Sequence, residues 1–207
     1  MYSAEQKQLI WHVREKVEAL FTAFPVTAHG MEHVARVAVH AKDIALTENA
    51  RSIFLCELAG YLHDIGRVAE HYDATTDGIR HHDLSYRLLR EWFREDTAFD
   101  VLTDAEKLEL LYAVKYHWND AADQYDTAII LRDADKLDAL GVFGLARAVA
   151  FYDGDAALEH GLRLCFAMMP WLRTAAAQAR AKELDAFRPL AKKYQELLSQ
   201  HIEPIEL

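Results

Sequence analysis

Apolar residues recur along this chain at intervals of three and four, and the breaks between runs fall at proline, glycine and short polar clusters. That is the pattern of packed helices, each with one face turned to a core. Leu9, Ile10, Val13, Val17, Leu20, Phe21 and Phe24 predict a first helix, entered through a Ser3/Gln6 capping box and ended by Pro25, with His12 on its surface or rim. Thr27-Ala28-His29-Gly30 reads as a turn into a second helix, about 31–46, whose inner face is Val34, Val37, Ala38, Ala41, Ile44 and Ala45. His33 stands beside that stripe in the first turn, and His40, seven residues on, lies on roughly the same side. A third helix over 51–62 turns Phe54, Leu55, Leu58, Ala59 and Leu62 inward and delivers His63 and Asp64 at its C-terminal end, before a Gly66 able to end a helix.

Periodicity is lost from Arg67 to Arg80, which predicts a polar loop. His81-His82-Asp83 opens a helix carrying Leu84, Leu88, Leu89, Trp92 and Phe93. Thr103-Asp104 caps the next, which runs through Leu108, Leu111, Tyr112 and Val114 to end near His117. Thr127 is the expected cap of a helix containing residues 129–140, with Gly141 and Gly144 continuing it. Asp153-Gly154 and Met169-Pro170 are breaks, and Thr174 to about Ile202 is a helical stretch divided at Pro189. No strand-like alternation of any length occurs. The fold class read from this pattern is all-α: a single compact domain over 1–207, with a core at about 25–150 and C-terminal packing helices at about 155–203.

Composition narrows the function classes. A chain of 207 residues, 52% hydrophobic and 27% charged, can bury one substantial core. The formal net charge of −10 disfavours a basic face for duplex nucleic acid, while small phosphorylated ligands stay open because a bound cation can supply positive charge. No apolar run approaches 18 residues and no basic leader precedes an apolar segment, so neither a membrane span nor export is expected. Cys56 and Cys165, both in apolar helical contexts, are expected to be reduced core residues of a cytoplasmic protein. Oligomeric state cannot be read from the chain.

The chemistry-bearing residues are uneven along the sequence. Eight of eleven histidines lie between residues 29 and 117, several at helix starts or ends. Two imidazoles and two carboxylates, such as His33, His63, Asp64 and Asp135, suit Mn, Fe, Co, Ni or Zn, whereas Mg prefers oxygens alone. In the stretch Asp133-Ala134-Asp135-Lys136-Leu137-Asp138, Asp133 and Asp135 are about 200° apart around a helix and cannot both face one pocket. Asp135 and Asp138 share a face, Asp138 one turn farther along.

Taken in order, His33-Val34-Ala35-Arg36-Val37, Leu62-His63-Asp64-Ile65-Gly66-Arg67 and Asp133-Ala134-Asp135-Lys136-Leu137-Asp138-Ala139 resemble the HD-domain metal-dependent phosphohydrolases, whose pattern is a His, a His-Asp pair and a distant Asp. The resemblance looks closest to the small stand-alone bacterial members. It implies a compact all-helical HD-domain bundle with His33, His63, Asp64 and Asp135 around one divalent metal ion, Asp135 being the Asp directly before the Lys-Leu step. Some members hold a second metal with two further histidines after the His-Asp pair, and His82 and His117 stand at suitable places; the role expected first for each is to back the ligands or contact phosphate, with a second metal as the alternative. Asp64 would both ligate the metal and orient the attacking water, Glu70 is an acid/base candidate, and Arg67, Lys115, Lys136 and Arg80 are candidate phosphate contacts or else solvated charges. The activity implied is hydrolysis of a small phosphorylated substrate, foremost a nucleoside triphosphate to monophosphate and pyrophosphate. The alternatives are a 5'-nucleotidase or phosphodiesterase of the same fold, or a non-catalytic metal- or ligand-sensing module.

Overall fold

The computed structural model of the chain describes residues 2–185 and 187–200, and among these it contains helices and no strand. Helix α1 (Ala4–Ala23) starts at the expected capping box, with Ser3 accepting from the Gln6 amide and the Gln6 side chain returning to the Ser3 amide. Helix α2 (Met31–Thr47) and helix α3 (Ile53–Leu62) follow. Almost every residue of α3 from Phe54 to Leu62 is buried, so it is the central element on which the others pack. Each fully buried Leu or Phe there contributes roughly 1.5–3 kcal/mol relative to exposure. Gly60 sets the α2–α3 approach, because a Cβ built on it would lie 2.4 Å from Ala38 Cα.

The stretch expected as a loop is instead partly helical: α4 (Arg67–Tyr72) and a 3-10 turn at Ala74–Thr76. Its six residues bury only Val68, so no apolar period exists to read, and an Arg67–Glu70 ion pair at 2.9 Å braces the turn. Gly66 keeps an ordinary right-handed φ of −74°, so it is not a left-handed helix cap. Its role is space: a Cβ there would lie 2.2 Å from Ser85 N and 2.4 Å from His81 O. Helix α5 (His81–Glu95) is thereby seated against the end of α3, with Ser85 Oγ accepting from the Gly66 amide at 2.8 Å.

Helix α6 (Asp104–Tyr116) begins at a Thr103/Glu106 capping box. Helix α7 (Asp126–Asp138) starts one residue before the expected Thr127 cap, with Tyr125 in the cap position. Thr127 is buried, and its hydroxyl donates to Glu109 Oε1 at 2.5 Å. The expected continuation through Gly141 also fails, because Gly141 takes a φ of 70° and turns the chain between α7 and α8 (Gly141–Phe151).

Helices α9 (Asp155–Met168), α10 (Ala175–Glu183) and α11 (Arg188–Ser199) complete the described chain. The division expected at Pro189 falls just before it, since Pro189 occupies the first turn of α11, where its missing N–H is harmless. The helix end expected near Ile202, and the boundary near 203, lie outside the described residues. One hydrophobic core runs from Leu9 to Leu197. Both cysteines are buried and unpaired. Among the described residues no helix is long and apolar enough to cross a membrane.

Candidate metal centre

Four side chains from three places on the fold converge at the end of α3. His33 comes from the first turn of α2, His63 and Asp64 from the turn after α3, and Asp135 from α7. His33 Nε2 lies 3.2 Å from His63 Nε2 and 3.3 Å from Asp135 Oδ1, while His63 Nε2 lies 3.8 Å from Asp135 Oδ1. Asp64 Oδ2 is 3.6 Å and 3.7 Å from the same two nitrogens. For metal–ligand bonds of about 2.0–2.2 Å, neighbouring ligand atoms stand about 2.9–3.5 Å apart, so these separations fit one divalent cation with little adjustment.

The hydrogen bonds behind the ligands fix which atoms face inward. His63 Nδ1 donates to Gly60 O at 2.8 Å, a bond that the close of α3 supplies. His33 Nδ1 donates to Asp138 Oδ2 at 2.7 Å. Both Nε2 lone pairs are thus directed at each other across 3.2 Å, an arrangement that repels unless a proton or a cation lies between. Asp138, buried at 2% exposure, does not enter the cluster. Its carboxylate is neutralised from outside by Arg36 Nε at 2.5 Å and Arg147 Nη1 at 2.8 Å.

Electrostatics complete the case for a cation. Burial opposes ionisation of Asp64, but His63, Arg67, His29 and His81 outweigh it and hold the carboxyl well below the usual range. Asp135 is lowered too: burial raises it, and His33 and His63 pull it down. Burial lowers the pKa of His63 and of His117 and pushes His81 down to about 2. For His33 burial also lowers, but the Asp135 and Asp138 carboxylates reverse it and raise the pKa, so the charge around this nitrogen favours a positive one. Asp64 Oδ1 is buried without a hydrogen-bond partner, an acceptor whose burial only a cation or donor would offset.

That oxygen faces a second trio. His81 Nε2 stands 3.4 Å from Asp64 Oδ1 and 3.4 Å from His117 Nε2, and His117 Nδ1 donates to Val114 O at 2.7 Å. Asp64, His81 and His117 offer atoms close enough together to share an ion, as do His29, His33 and Asp64. Of the two histidines the resemblance suggests here, His117 is present and His82 is not. His82 packs on Trp118 with ring centroids 5.1 Å apart, and its Nε2 lies 3.6 Å from Asp83. Neighbouring helical residues point about 100° apart, so only one of the pair can face Asp64. His81 stands three, four and eight residues before Leu84, Ser85 and Leu89, the face that α5 buries.

The remaining candidates separate cleanly. Arg67 Nε approaches Asp64 Oδ2 at 3.5 Å. Glu70 Oε2 pairs with Arg67, and Glu70 Oε1 accepts from the His81 amide at 3.0 Å, so Glu70 braces the site from behind. Lys136 is buried in an ion pair with Asp120. Lys115 lies over the Tyr86 ring, its Nζ 3.9 Å from Asp83. Arg80 is exposed at the N-cap of α5. Asp133 accepts from the Arg173 and Thr174 amides, on the far side of α7 from Asp135 as the helical angle requires.

Sequence reasoning missed His29, which donates from Nδ1 to Asp64 Oδ2 at 3.0 Å, and Arg147 of α8. His29 sits in a turn where no periodicity marks direction. Both line a cavity of about 320 Å³ together with Arg67. A larger apolar cavity of about 460 Å³ opens beside Asp138; neither cavity is lined by any of the four converging side chains, and the smaller one reaches them through His29 and Arg67, which touch Asp64.

Comparison with known proteins agrees with this geometry. Residues 30–140, just over half the chain, match the model of the HD domain. No curated protein is similar in sequence. Among solved structures, Bacillus subtilis YpgQ in complex with ADP is similar over 98% of this chain and 100% of its own, at 22% identity and a TM-score of 0.67. A predicted HD superfamily hydrolase from an uncultured Thermotogales bacterium is similar over 91% of both chains, at 22% identity and a TM-score of 0.65. An HD-superfamily hydrolase from Bacillus thuringiensis is similar over 94% of this chain and 98% of its own, at 20% identity and a TM-score of 0.66. HD domains bind divalent metals, and here the His and Asp side chains that could hold one lie together inside the matched segment. With the motif residues brought to one point and the fold shared along the whole chain, the protein belongs to the HD domain family.

Proposed function

We propose that this protein is a divalent-cation-dependent phosphohydrolase acting on nucleotides, adding water across the α–β phosphoanhydride of a nucleoside triphosphate to give a monophosphate and pyrophosphate. The observation that carries this reading is the pair of inward Nε2 atoms 3.2 Å apart, flanked by two carboxylates, one with an unpartnered buried oxygen. His33, His63, Asp64 and Asp135 would hold the ion, and Asp64, His81 and His117 a second. When bound, a cation there would polarise a phosphoryl oxygen and lower the pKa of a water.

The chain's own residues supply the rest. Asp64 is ionised and can accept a hydrogen bond from the attacking water, orienting its lone pair. Arg67, held by Glu70 and with its Nε buried and unpartnered, can donate to a phosphoryl oxygen as charge develops. Arg147 carries a second guanidinium to the same cavity. Both guanidiniums are ion-paired, Arg67 with Glu70 and Arg147 with Asp138, so each is held in place on the cavity wall with N–H groups left over for an anionic ligand. That structurally similar YpgQ was obtained with ADP supports a nucleotide ligand.

The experiment is a turnover panel with Mn, Co, Ni, Fe, Zn and Mg on nucleoside tri-, di- and monophosphates, measuring pyrophosphate and phosphate separately. Pyrophosphate from triphosphates is the expected product. Phosphate from monophosphates would make the protein a 5'-nucleotidase, cleavage of diesters a phosphodiesterase, and metal binding without turnover a sensing module.

A further inference from the structure

The cavity beside Asp64 has two chemically different ends, and the ring contacts show how they connect. At the inner end His29 touches Asp64 through Nδ1 at 3.0 Å, Arg67 approaches the same carboxylate, and Arg147 donates to Asp138 and to Ala28 O. The His29 ring then meets Phe151 at a centroid distance of 5.5 Å, and Phe151 meets Tyr152 at 4.9 Å, both near right angles. Tyr152 in turn lies against Gly161 of α9, where a Cβ would fall 2.1 Å from its ring. That glycine therefore lets the tyrosine fold back onto α9, and Leu164 and Cys165 extend the apolar wall.

Phe151 is the unusual member. It closes the last turn of α8 with 51% of its surface exposed, although it lines the cavity. An exposed aromatic one side chain removed from a cationic, cation-binding cluster matches a ligand that is anionic at one end and planar at the other, with a short polar spacer between.

We infer that the α8–α9 wall is a nucleobase slot, in which the base stacks on Phe151 while Arg67 and Arg147 face the phosphates next to the sugar. The inference rests on the nucleotide reading of the metal centre and adds to it the side chain that distinguishes a nucleotide from a phosphate chain without a base. Stacking needs a π face but no hydrogen-bond code, so the slot discriminates base from no base more strongly than one base from another. The α8 and α9 residues that build it lie outside the segment carrying the metal ligands, which leaves slot and cluster separable by mutation.

The test compares kcat/KM for ATP with that for inorganic tripolyphosphate in the full chain loaded with Mn, for wild type, Phe151→Ala and Phe151→Tyr. Stacking of a base is worth about 1–3 kcal/mol by alanine substitution, so the ATP-to-tripolyphosphate ratio should fall roughly 5- to 150-fold in Phe151→Ala, mainly through KM, and recover in Phe151→Tyr. A second readout needs no turnover: saturation-transfer NMR on the metal-free protein should show adenine H8 and H2 of AMP in contact, with the signal lost in Phe151→Ala. An unchanged ratio together with retained transfer overturns the slot while leaving nucleotide hydrolysis standing. Hydrolysis of tripolyphosphate with neither turnover nor binding of nucleotides overturns both.

Discussion

Asp138 offers the sharpest test of how the site is held. It is not a ligand in the arrangement described above, yet its buried carboxylate accepts from His33 Nδ1 at 2.7 Å, from Arg36 at 2.5 and 3.1 Å, and from Arg147 at 2.8 Å. Asp138→Asn is nearly isosteric, but it removes the charge and places an amide NH2 where at least one of these donors now points. His33 then loses the partner that keeps its Nδ1 protonated and its Nε2 lone pair inward. Losing such a hydrogen bond behind a ligating histidine weakens metal binding about 10- to 100-fold, or about 1.4–2.8 kcal/mol. The stability cost should stay modest, about 1–3 kcal/mol, because Arg36 and Arg147 are partly exposed and can rehydrate. The assay is competition of Mn against a fluorescent chelator at fixed pH and ionic strength, with far-UV circular dichroism to confirm the helices. Arg36→Ala removes a neutralising arm but leaves the His33–Asp138 bond, so it should weaken Mn binding less. A dissociation constant for folded Asp138→Asn within about twofold of wild type would refute the claim that this carboxylate sets the His33 tautomer.

Four further outcomes are expected. His63→Ala and Asp64→Ala should each abolish metal-dependent turnover with helicity retained; full activity in either would defeat the proposed mechanism. Gly66→Ala would press a methyl into the backbone of Ser85 and His81, so it should cost about 1–3 kcal/mol in urea unfolding and separate His81 from Asp64; wild-type stability would show that α5 is not seated as described. Arg67→Ala should raise KM for triphosphates more than Arg80→Ala, since only Arg67 approaches Asp64, and equal effects in steady-state kinetics would contradict that placement. Asp96 accepts from Lys16 at 2.5 Å and from His12 at 2.8 Å; burial raises its pKa, but these partners and the Ala98 amide lower it to about 2. A lowered folded pKa adds stability above the unfolded value near 4 that is lost as pH falls toward 2, so wild type should exceed Asp96→Asn by about 1 kcal/mol at pH 7 after allowance for solvent screening, with the gap closing below pH 3 in urea titrations.

Much of this protein is legible along the chain because helices announce themselves locally. The Ser3 and Thr103 capping boxes, the buried stripe of α2 and the arrival of His63 and Asp64 at the end of α3 all follow from spacings of three and four residues. So does the opposition of Asp133 and Asp135, which angular geometry alone requires. The short α4 was hidden because a single buried residue in six makes no period, and the α7–α8 break because a glycine reveals its φ only in three dimensions.

What the tertiary structure decided is which side chains meet. His81 rather than His82 reaches Asp64 because Gly66 seats α5 at one rotation, and Asp138 stands behind His33 because Gly60 brings α2 down onto α3 beside α7. Lys136, next to Asp135 in sequence, pairs with Asp120, while Arg147, far from every motif, joins the cavity. Local spacing encodes the direction of a side chain on its own helix. Contact between helices 30 to 105 residues apart depends on crossing distances measured in single methyl groups, which no window of sequence contains.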